Sequence, residues 1–363
     1  VQNGSLPAPH AGWEFHQAPL YYIFSAIVHI VSDALGIASD SLYTIVQMES
    51  LLASIGIAVL GCVIALTLFP KTAQERSRYV FAAVIICSPA LILLSSRITN
   101  NGLYAFVGTL TLWQMLRWWK NDTVKDWYAL CALLAITALF KVSGLALVGA
   151  AGTAWILRHG RHRDMWRFAV IGGILFSLIF SWFPLSRLEH AEDANKLMKM
   201  GNVGMHSGLT LDNTLENFST FSPGGILDKP YNNPWSDEHR RQYFWEYLFR
   251  SAFFGEFGFD DELRILAQGI LLTGMLSLLL CGCGIIASFW KRDRYDTPLL
   301  LAMGFLLLAA FCYRYFFPYS ANQDFRQSVL LLVPLAYFTV KGCDVLKRKI
   351  SYSTVLLCCY CSL

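Results

Sequence analysis

Long apolar stretches, separated by short polar connections, make up most of the 363-residue chain. A helix needs about 20 apolar residues to cross a hydrocarbon layer, and several of the stretches approach or exceed that length. The pattern therefore predicts an all-α polytopic membrane protein with about nine to ten transmembrane helices. The predicted spans are Glu49 to Phe69, Tyr79 to Leu94, Gly102 to Leu116, Trp127 to Phe140, Ser143 to Leu157, Phe168 to Leu185, Leu263 to Trp290, Pro298 to Tyr313, Ser328 to Val340 and an incomplete one near Ser353.

The composition agrees with this prediction, because only 15% of the residues are charged and 55% are hydrophobic. An ordinary soluble domain has about 25% charged residues. The ten cysteines lie in or beside apolar segments, so we expect small core residues and no disulfide framework. The chain has no Gly-rich phosphate loop, no Gly-x-Ser-x-Gly motif and no zinc-type spacing, and a net charge of +4 gives little support for nucleic-acid binding.

The basic residues predict the orientation of the spans. More than half of the 29 Lys and Arg residues lie in five connections, which the positive-inside rule assigns to the cytoplasm. Two predicted spans separate each of these connections from the next, so all of them fall on one side. The five connections are Lys71 to Arg78, Arg117 to Lys125, Arg158 to Arg167, Lys291 to Arg294 and Lys341 to Lys349.

This topology divides the chain into four regions. Residues 1–47 are predicted to be part of a first outer loop with a juxtamembrane helix, and residues 48–185 a transmembrane helix bundle. Residues 186–262 are predicted to form a large non-cytoplasmic loop that covers a site at the membrane surface, followed by C-terminal transmembrane helices over 263–363. We expect four aromatic residues of the large loop to lie in the membrane interface: Phe244, Tyr247, Phe253 and Phe254.

The first apolar stretch, Pro19 to Leu35, is amphipathic. Its polar residues Ser25, His29, Ser32 and Asp33 share one face at helical spacing. A span at this position would leave the preceding loop on the cytoplasmic side without a basic residue. The pattern therefore favours an interfacial helix on the outer surface. The alternative is an ordinary span whose polar stripe packs against neighbouring helices.

Four cations remain on the predicted outer side, in short connections or at span ends: Arg97, Lys141, Arg314 and Arg326. Positive charge in these places opposes the usual sorting bias, so the residues should have partners or a function. A lipid phosphate or pyrophosphate would satisfy them. The alternative is that each cation reaches outer headgroups independently or pairs with a local acid such as Asp324.

The run from Trp13 to Tyr22 resembles the His-Gln-Pro-Pro-Leu-Tyr-Tyr element of the dolichyl-phosphate-mannose-protein mannosyltransferase-like membrane glycosyltransferases, with Ala18 in place of the first proline. This is the C superfamily, which also contains aminoarabinose-transferase-like enzymes. Three later stretches are similar to further elements of the family: Ser95 to Gly102, Ala138 to Leu145 and Gln323 to Pro334.

The resemblance implies inverting transfer of a sugar from a polyprenyl-phosphate donor to a glycan, lipid or protein acceptor. A carboxylate would activate the acceptor, and cations would steady the departing phosphate. In the family this acid lies well upstream of the His-Gln-Pro element, so we expect it before Val1 in a longer chain, with Glu14 only as a fallback. A divalent metal is possible in the family, whereas no residue of this sequence stands out as a ligand.

The resemblance also implies substrate-binding residues. His16 and Gln17 would bind sugar or phosphate, or else orient the juxtamembrane helix. Asn100 and Asn101 occupy a place where relatives often have Asn-Asp. The amide of Asn101 can still form hydrogen bonds there, but it lacks the charge of an aspartate. Lys141 would reach the carrier phosphate. The alternative is that it extends only to the lipid headgroups of the outer surface.

The expected membrane is a bacterial plasma membrane, with the endoplasmic reticulum as the alternative. Two other functions compete with the enzyme: a transporter or flippase of lipid-linked substrates, and a non-catalytic membrane scaffold of the same fold.

Overall fold

A computed structural model describes residues 17–187 and 208–346. About 81% of these residues are helical and none forms a strand, which confirms the all-α fold class. The α-helices are α1 (Leu20–Ala34), α2 (Ser39–Leu68), α3 (Glu75–Ile86), α4 (Pro89–Ser95), α5 (Asn100–Asn121), α6 (Val124–Phe140), α7 (Leu145–His159), α8 (Trp166–Phe180), α9 (Trp182–Arg187), α10 (Leu215–Ser219), α11 (Pro223–Asp228), α12 (Phe244–Phe254), α13 (Arg264–Trp290), α14 (Asp296–Phe316) and α15 (Leu332–Leu346).

Short 3-10 helices connect several of these elements. They cover Thr72–Gln74, Val142–Gly144, Arg163–Met165, Asp237–His239, Asp261–Leu263, Ser320–Gln323 and Phe325–Leu331.

Five helical segments of the described chain are long and apolar enough to cross a membrane, and a sixth is added if α3 and α4, bent by 44° at their junction, form one span. The five are Ser41–Leu68, Arg163–Ser186, Asp261–Trp290, Asp296–Phe316 and Ser320–Leu346. The structure thus supports a membrane protein.

The nine to ten predicted spans are not all confirmed. Each predicted span within the described residues contains a helix, but not every one of these helices qualifies as a membrane span. α6 has 17 residues and α7 has 15, so both are short for a crossing. α5 has 22 residues, but it begins with two asparagines and carries Arg117 and Lys120 in its last turns. The predicted span near Ser353 lies outside the described residues.

The chain forms two compact units: residues 1–56 and 94–208 (unit 1), and residues 57–93 and 209–363 (unit 2). In unit 1, α5 packs against α6, and α6 packs against α8. The first part of α2 approaches α5 closely, because a Cβ on Gly102 would lie 3.0 Å from Ser50 Oγ and one on Gly56 would lie 2.6 Å from the Phe106 ring. Small residues at these two points allow the close contact.

In unit 2 the closest helix pair is α13 and α15. A Cβ on Gly284 would lie 1.9 Å from the carbonyl oxygen of Phe338, and a Cβ on Gly342 would lie 1.9 Å from that of Leu280. Neither glycine can be replaced without separating the two backbones.

An ion-pair network ties α15 to the start of α14. The Lys341 ammonium lies 2.6 Å from Asp296 Oδ2 and 2.8 Å from Asp293 Oδ2, and the Tyr337 hydroxyl donates to Asp296 Oδ1 at 2.9 Å. The sequence analysis assigned Lys341 to a cytoplasmic connection, but α15 continues to Leu346, and this lysine is buried inside the unit.

The described part of the predicted outer loop, residues 208–262, is folded. α12 begins after Tyr243 and ends at Gly255, whose φ of +61° favours glycine. The prediction that its aromatic residues lie in the membrane interface is wrong for three of them, because Phe244, Tyr247 and Phe254 are buried within unit 2. Their helical spacing was the signal of a protein core.

α1 turns part of its polar stripe inward. Ser32 is buried and Ser25 donates to Glu49 Oε2 of α2 at 3.1 Å, whereas Phe24, Ile27 and other apolar residues are exposed. These two serines agree with the alternative, a polar stripe packed against neighbours, whereas His29 and Asp33 of the same stripe have 39% and 64% of their side chains exposed, as an interfacial helix expects. α1 has 15 residues and is not among the five candidate spans.

Candidate functional site

The N-terminus of α5 carries the first part of a polar cluster in unit 1. Thr99 is extended and caps the helix: its Oγ1 accepts from the backbone N–H of Asn101 at 3.4 Å and from the Asn101 side-chain amide at 2.9 Å. The Asn100 and Asn101 side chains are buried. Capping thus holds the Asn101 amide in a fixed position at the helix end, directly beside Asn100.

Lys141 joins this cluster from the end of α6. The helix stops at Phe140, Lys141 is extended, and the following 3-10 turn brings Gly144 back against Thr137. The buried Lys141 ammonium donates to Asn101 Oδ1 and lies 5.6 Å from the centre of the Tyr104 ring. An amide oxygen accepts a hydrogen bond from an ammonium, and a ring face attracts its charge.

Gln17 completes the cluster from the segment before α1. Its Oε1 accepts from the Asn100 side-chain amide. Gln17, Asn100, Asn101 and Lys141, here called the amide–lysine cluster, therefore unite three segments of unit 1 that are far apart in sequence. The sequence analysis singled out all four residues. His16 and the fallback acid Glu14 lie outside the described residues.

The remaining three predicted cations have other surroundings. Arg97 lies half-buried in the connection between α4 and α5, where its backbone N–H donates to the Leu94 carbonyl at 3.2 Å.

Arg314, in α14 of unit 2, is completely buried and binds protein acceptors. Its guanidinium donates to Gln323 Oε1 at 3.2 Å, to Asn213 Oδ1 at 2.6 Å and to the Asp212 carbonyl at 2.9 Å. It also lies over the Phe218 ring at 5.1 Å. These contacts fasten the segment before α10 to the end of α14, so they give Arg314 a structural role.

Arg326, also in unit 2, forms an ion pair with an acid, as the alternative interpretation expected. The acid is Glu256, 3.2 Å from Nη2, whereas Asp324 accepts from the backbone N–H of Arg326 at 2.8 Å. The pair fixes the start of the last span to the end of the α12 segment.

Further charges in the α12 region belong to the folded core of that region. Burial raises the pKa of Glu246, whose carboxylate lies 3.0 Å from Arg240 Nε. Burial lowers the pKa of Arg250 to about 10, and its guanidinium donates to the carbonyls of Lys229 and His239. Backbone carbonyls satisfy this cation, which indicates a structural contact.

Sequence analysis missed one acid of unit 1. The predicted span began at Glu49, which placed this residue at the membrane edge, whereas α2 begins at Ser39 and contains Glu49 within its length. Glu49 is buried, and an acid inside an apolar helix is a recognisable signal once the helix is extended backwards.

Among the described residues, no group of three or more His, Cys, Asp or Glu side chains is placed to hold a metal ion. Comparison of the chain with protein-family models, with curated proteins and with solved structures finds no match.

Proposed function

We propose that this protein is a membrane glycosyltransferase that moves a sugar from a polyprenyl-phosphate carrier to an acceptor on the non-cytoplasmic face. The observation that carries the proposal is the amide–lysine cluster, in which the buried Lys141 ammonium donates to the Asn101 amide while the neighbouring Asn100 amide donates to Gln17. Amides and an ammonium are groups that bind sugar hydroxyls and phosphate oxygens.

The position of the cluster supports a site at one membrane surface. α5 and α6 pack as a pair, with Asn100 at the start of α5 and Lys141 after the end of α6. The basic connection Arg117 to Lys125 joins the opposite ends of the two helices. If that connection is cytoplasmic by the positive-inside rule, the cluster lies at the outer surface.

The chemistry of the transfer makes a buried cation useful. The bond between the anomeric carbon and the carrier phosphate oxygen breaks, the acceptor oxygen bonds to that carbon, and the acceptor proton passes to a base. Negative charge grows on the departing phosphate, where a preorganised ammonium away from bulk water is most effective. Lys141 fits that role, and the proposal does not need Arg314 or Arg326.

The finer features of the proposal follow from the sequence. They are nine to ten spans, a donor whose lipid tail stays in the bilayer, and a bacterial plasma membrane or, as the alternative, the endoplasmic reticulum. The family resemblance assigns the base to an acid upstream of the His-Gln element.

The test uses the purified chain in lipid nanodiscs with undecaprenyl phosphate as the probe. We expect Lys141→Met to weaken binding about tenfold or more, since a charge-assisted hydrogen bond is lost. Lys125→Met is the matched control, because Lys125 lies exposed in the first turn of α6, the helix that Lys141 follows. Thermal unfolding of each variant shows whether it is folded.

Consumption of a sugar-loaded donor, measured in membranes that contain the full-length protein, then separates the possible functions. Binding with consumption supports the glycosyltransferase. Binding without consumption of any donor favours a transporter or a scaffold, and equal binding by the wild type and Lys141→Met removes the proposed phosphate site.

A further inference from the structure

Glu49 differs from the other buried acid that is described in unit 1. Asp126 has two partners on each carboxylate oxygen: Gln114 and Arg117 on Oδ1, and Asn121 and Thr123 on Oδ2. Glu49 accepts from Ser25 on Oε2, whereas no described group donates a hydrogen bond to its buried Oε1. Asp126 therefore has the contacts of a structural acid, and Glu49 does not.

A carboxylate oxygen in an apolar helix costs free energy unless a donor binds it. Only 7% of Glu49 is exposed, so bulk water does not supply that donor readily. Because a carboxylate only accepts hydrogen bonds when ionised, the matching ligand carries several donors. A sugar ring with hydroxyl groups is such a ligand.

Two short paths connect Glu49 to the amide–lysine cluster. Ser50, the next residue of α2, lies against Gly102, the residue that follows Asn101. On the other side, Ser25 lies eight positions after Gln17, and Tyr21, midway between them, is buried beside Ser25 and Glu49. Helical spacing places Tyr21 and Ser25 on one side of α1, which begins three residues after Gln17.

We infer that Glu49 binds hydroxyl groups of the donor sugar while the amide–lysine cluster binds its carrier phosphate. The inference rests on the proposed function and adds a residue that determines sugar recognition. It assigns the two ends of one ligand to two parts of unit 1: the phosphate to Lys141 with its amides, and the sugar to the α1–α2 contact at Ser25 and Glu49.

The test compares two probes on the same purified protein: undecaprenyl phosphate, and undecaprenyl phosphate that carries glucose, mannose, galactose or xylose. The ratio of their dissociation constants is the gain in affinity from the sugar. We expect at least one sugar to give a gain in the wild type. Glu49→Gln should reduce that gain about tenfold or more and leave binding of undecaprenyl phosphate unchanged, because the glutamine keeps an acceptor for Ser25 but loses the charge.

Glu49→Asp keeps the charge and shortens the side chain. We expect it to lose part of the sugar gain and to keep the affinity for the unloaded carrier. This variant also provides the test if Glu49→Gln does not fold, because a full sugar gain in Glu49→Asp would then contradict the inference.

The outcomes separate the two proposals. A normal sugar gain in Glu49→Gln overturns the role of Glu49 and leaves the carrier site intact, as does the lack of a gain from every sugar in the wild type. An equal loss of affinity for both probes shows a structural role for Glu49 and overturns the inference. No binding of either probe by the wild type overturns the proposed function, and the inference with it.

Discussion

Lys141 in unit 1 and Lys341 in unit 2 are buried to the same extent, with 9% of each residue exposed. Lys341 lies between the carboxylates of Asp293 and Asp296 and also donates to the Lys291 carbonyl at 3.1 Å. Lys141 donates to the amide of Asn101 and lies over a tyrosine ring. Equal burial therefore accompanies different described contacts: two carboxylates hold Lys341 in place, whereas an amide and a ring face orient Lys141.

The largest expected effect is a loss of stability on replacing Lys341, the lysine with a structural role. Lys341→Met leaves the carboxylate of Asp296, which is completely buried, without its cation. Removing one partner of a buried ion pair typically costs about 3–5 kcal/mol, so we expect a free energy of unfolding lower by about that amount. Chemical unfolding of the purified protein in detergent measures it.

Two further variants sharpen this result. Lys341→Met combined with Asp296→Asn should recover part of the stability, because the asparagine carries no charge to leave unpaired. Lys141→Met should destabilise the protein less than Lys341→Met. Equal destabilisation by the two lysine variants would break the comparison between them.

The second prediction places a carboxylate next to the Lys141 ammonium, as Asp296 lies next to that of Lys341. Asn101→Asp keeps the shape of the side chain and gives the ammonium a carboxylate partner. We expect undecaprenyl phosphate to bind about tenfold more weakly, or about 1.4 kcal/mol, because the acid competes with the phosphate for the cation. Titration of the probe into nanodiscs measures the change.

The control is Ser96→Asp, which adds the same charge at an exposed position before α5. Water and salt screen that charge, so its effect on affinity should be small. Unchanged binding by Asn101→Asp would mean that the charge of Lys141 does not face the phosphate.

Much of the fold was readable from hydrophobic pattern, since the apolar stretches that the structure describes are helices. The membrane crossings were harder to predict, because crossing depends on length and lipid contact as well as on apolar character. α6 and α7 are strongly apolar but short. The end of α15 was misjudged for a related reason: Lys341 is polar in sequence, whereas its acidic partners on α14 and just before it make it an interior residue.

The residues of the candidate site could be predicted from the sequence, but which of the predicted residues lie together could not. Local motifs indicated Gln17, Asn100, Asn101 and Lys141, and the structure brings these four together. Charge position selected Arg314, but charge position alone does not reveal that Asp212, Asn213 and Gln323 supply its acceptors. Asp212 and Asn213 come from a loop that is distant in sequence, and a single sequence does not show which loop returns to which helix end.

The smallest expected effect is that of an exposed ion pair, and its measurement tests whether the stability that an ion pair contributes depends on its burial. In unit 2, the hydrogen bond from Arg241 Nε, 2.7 Å long, lowers the pKa of Asp237, but more than half of the Asp237 side chain is exposed. Solvent screening limits such a pair to less than about 1 kcal/mol, well below the loss expected for Lys341→Met.

The sign of the pH dependence follows from the lowered pKa. The pair stabilises the folded state fully above the ordinary pKa of Asp237, which is 3.8, and the contribution disappears as the pH falls through the lower folded value. We therefore expect the wild type to unfold at a slightly higher temperature than Asp237→Asn at pH 7, with the difference shrinking as the pH falls below 3.8. The adjacent Glu238→Gln is the control, because Glu238 pairs with Lys229 at 3.1 Å from a more exposed position and should give a smaller difference at pH 7. A difference for Asp237→Asn that is independent of pH, or as large as that of Lys341→Met, would contradict the view that burial sets the strength of an ion pair while its partners set its role.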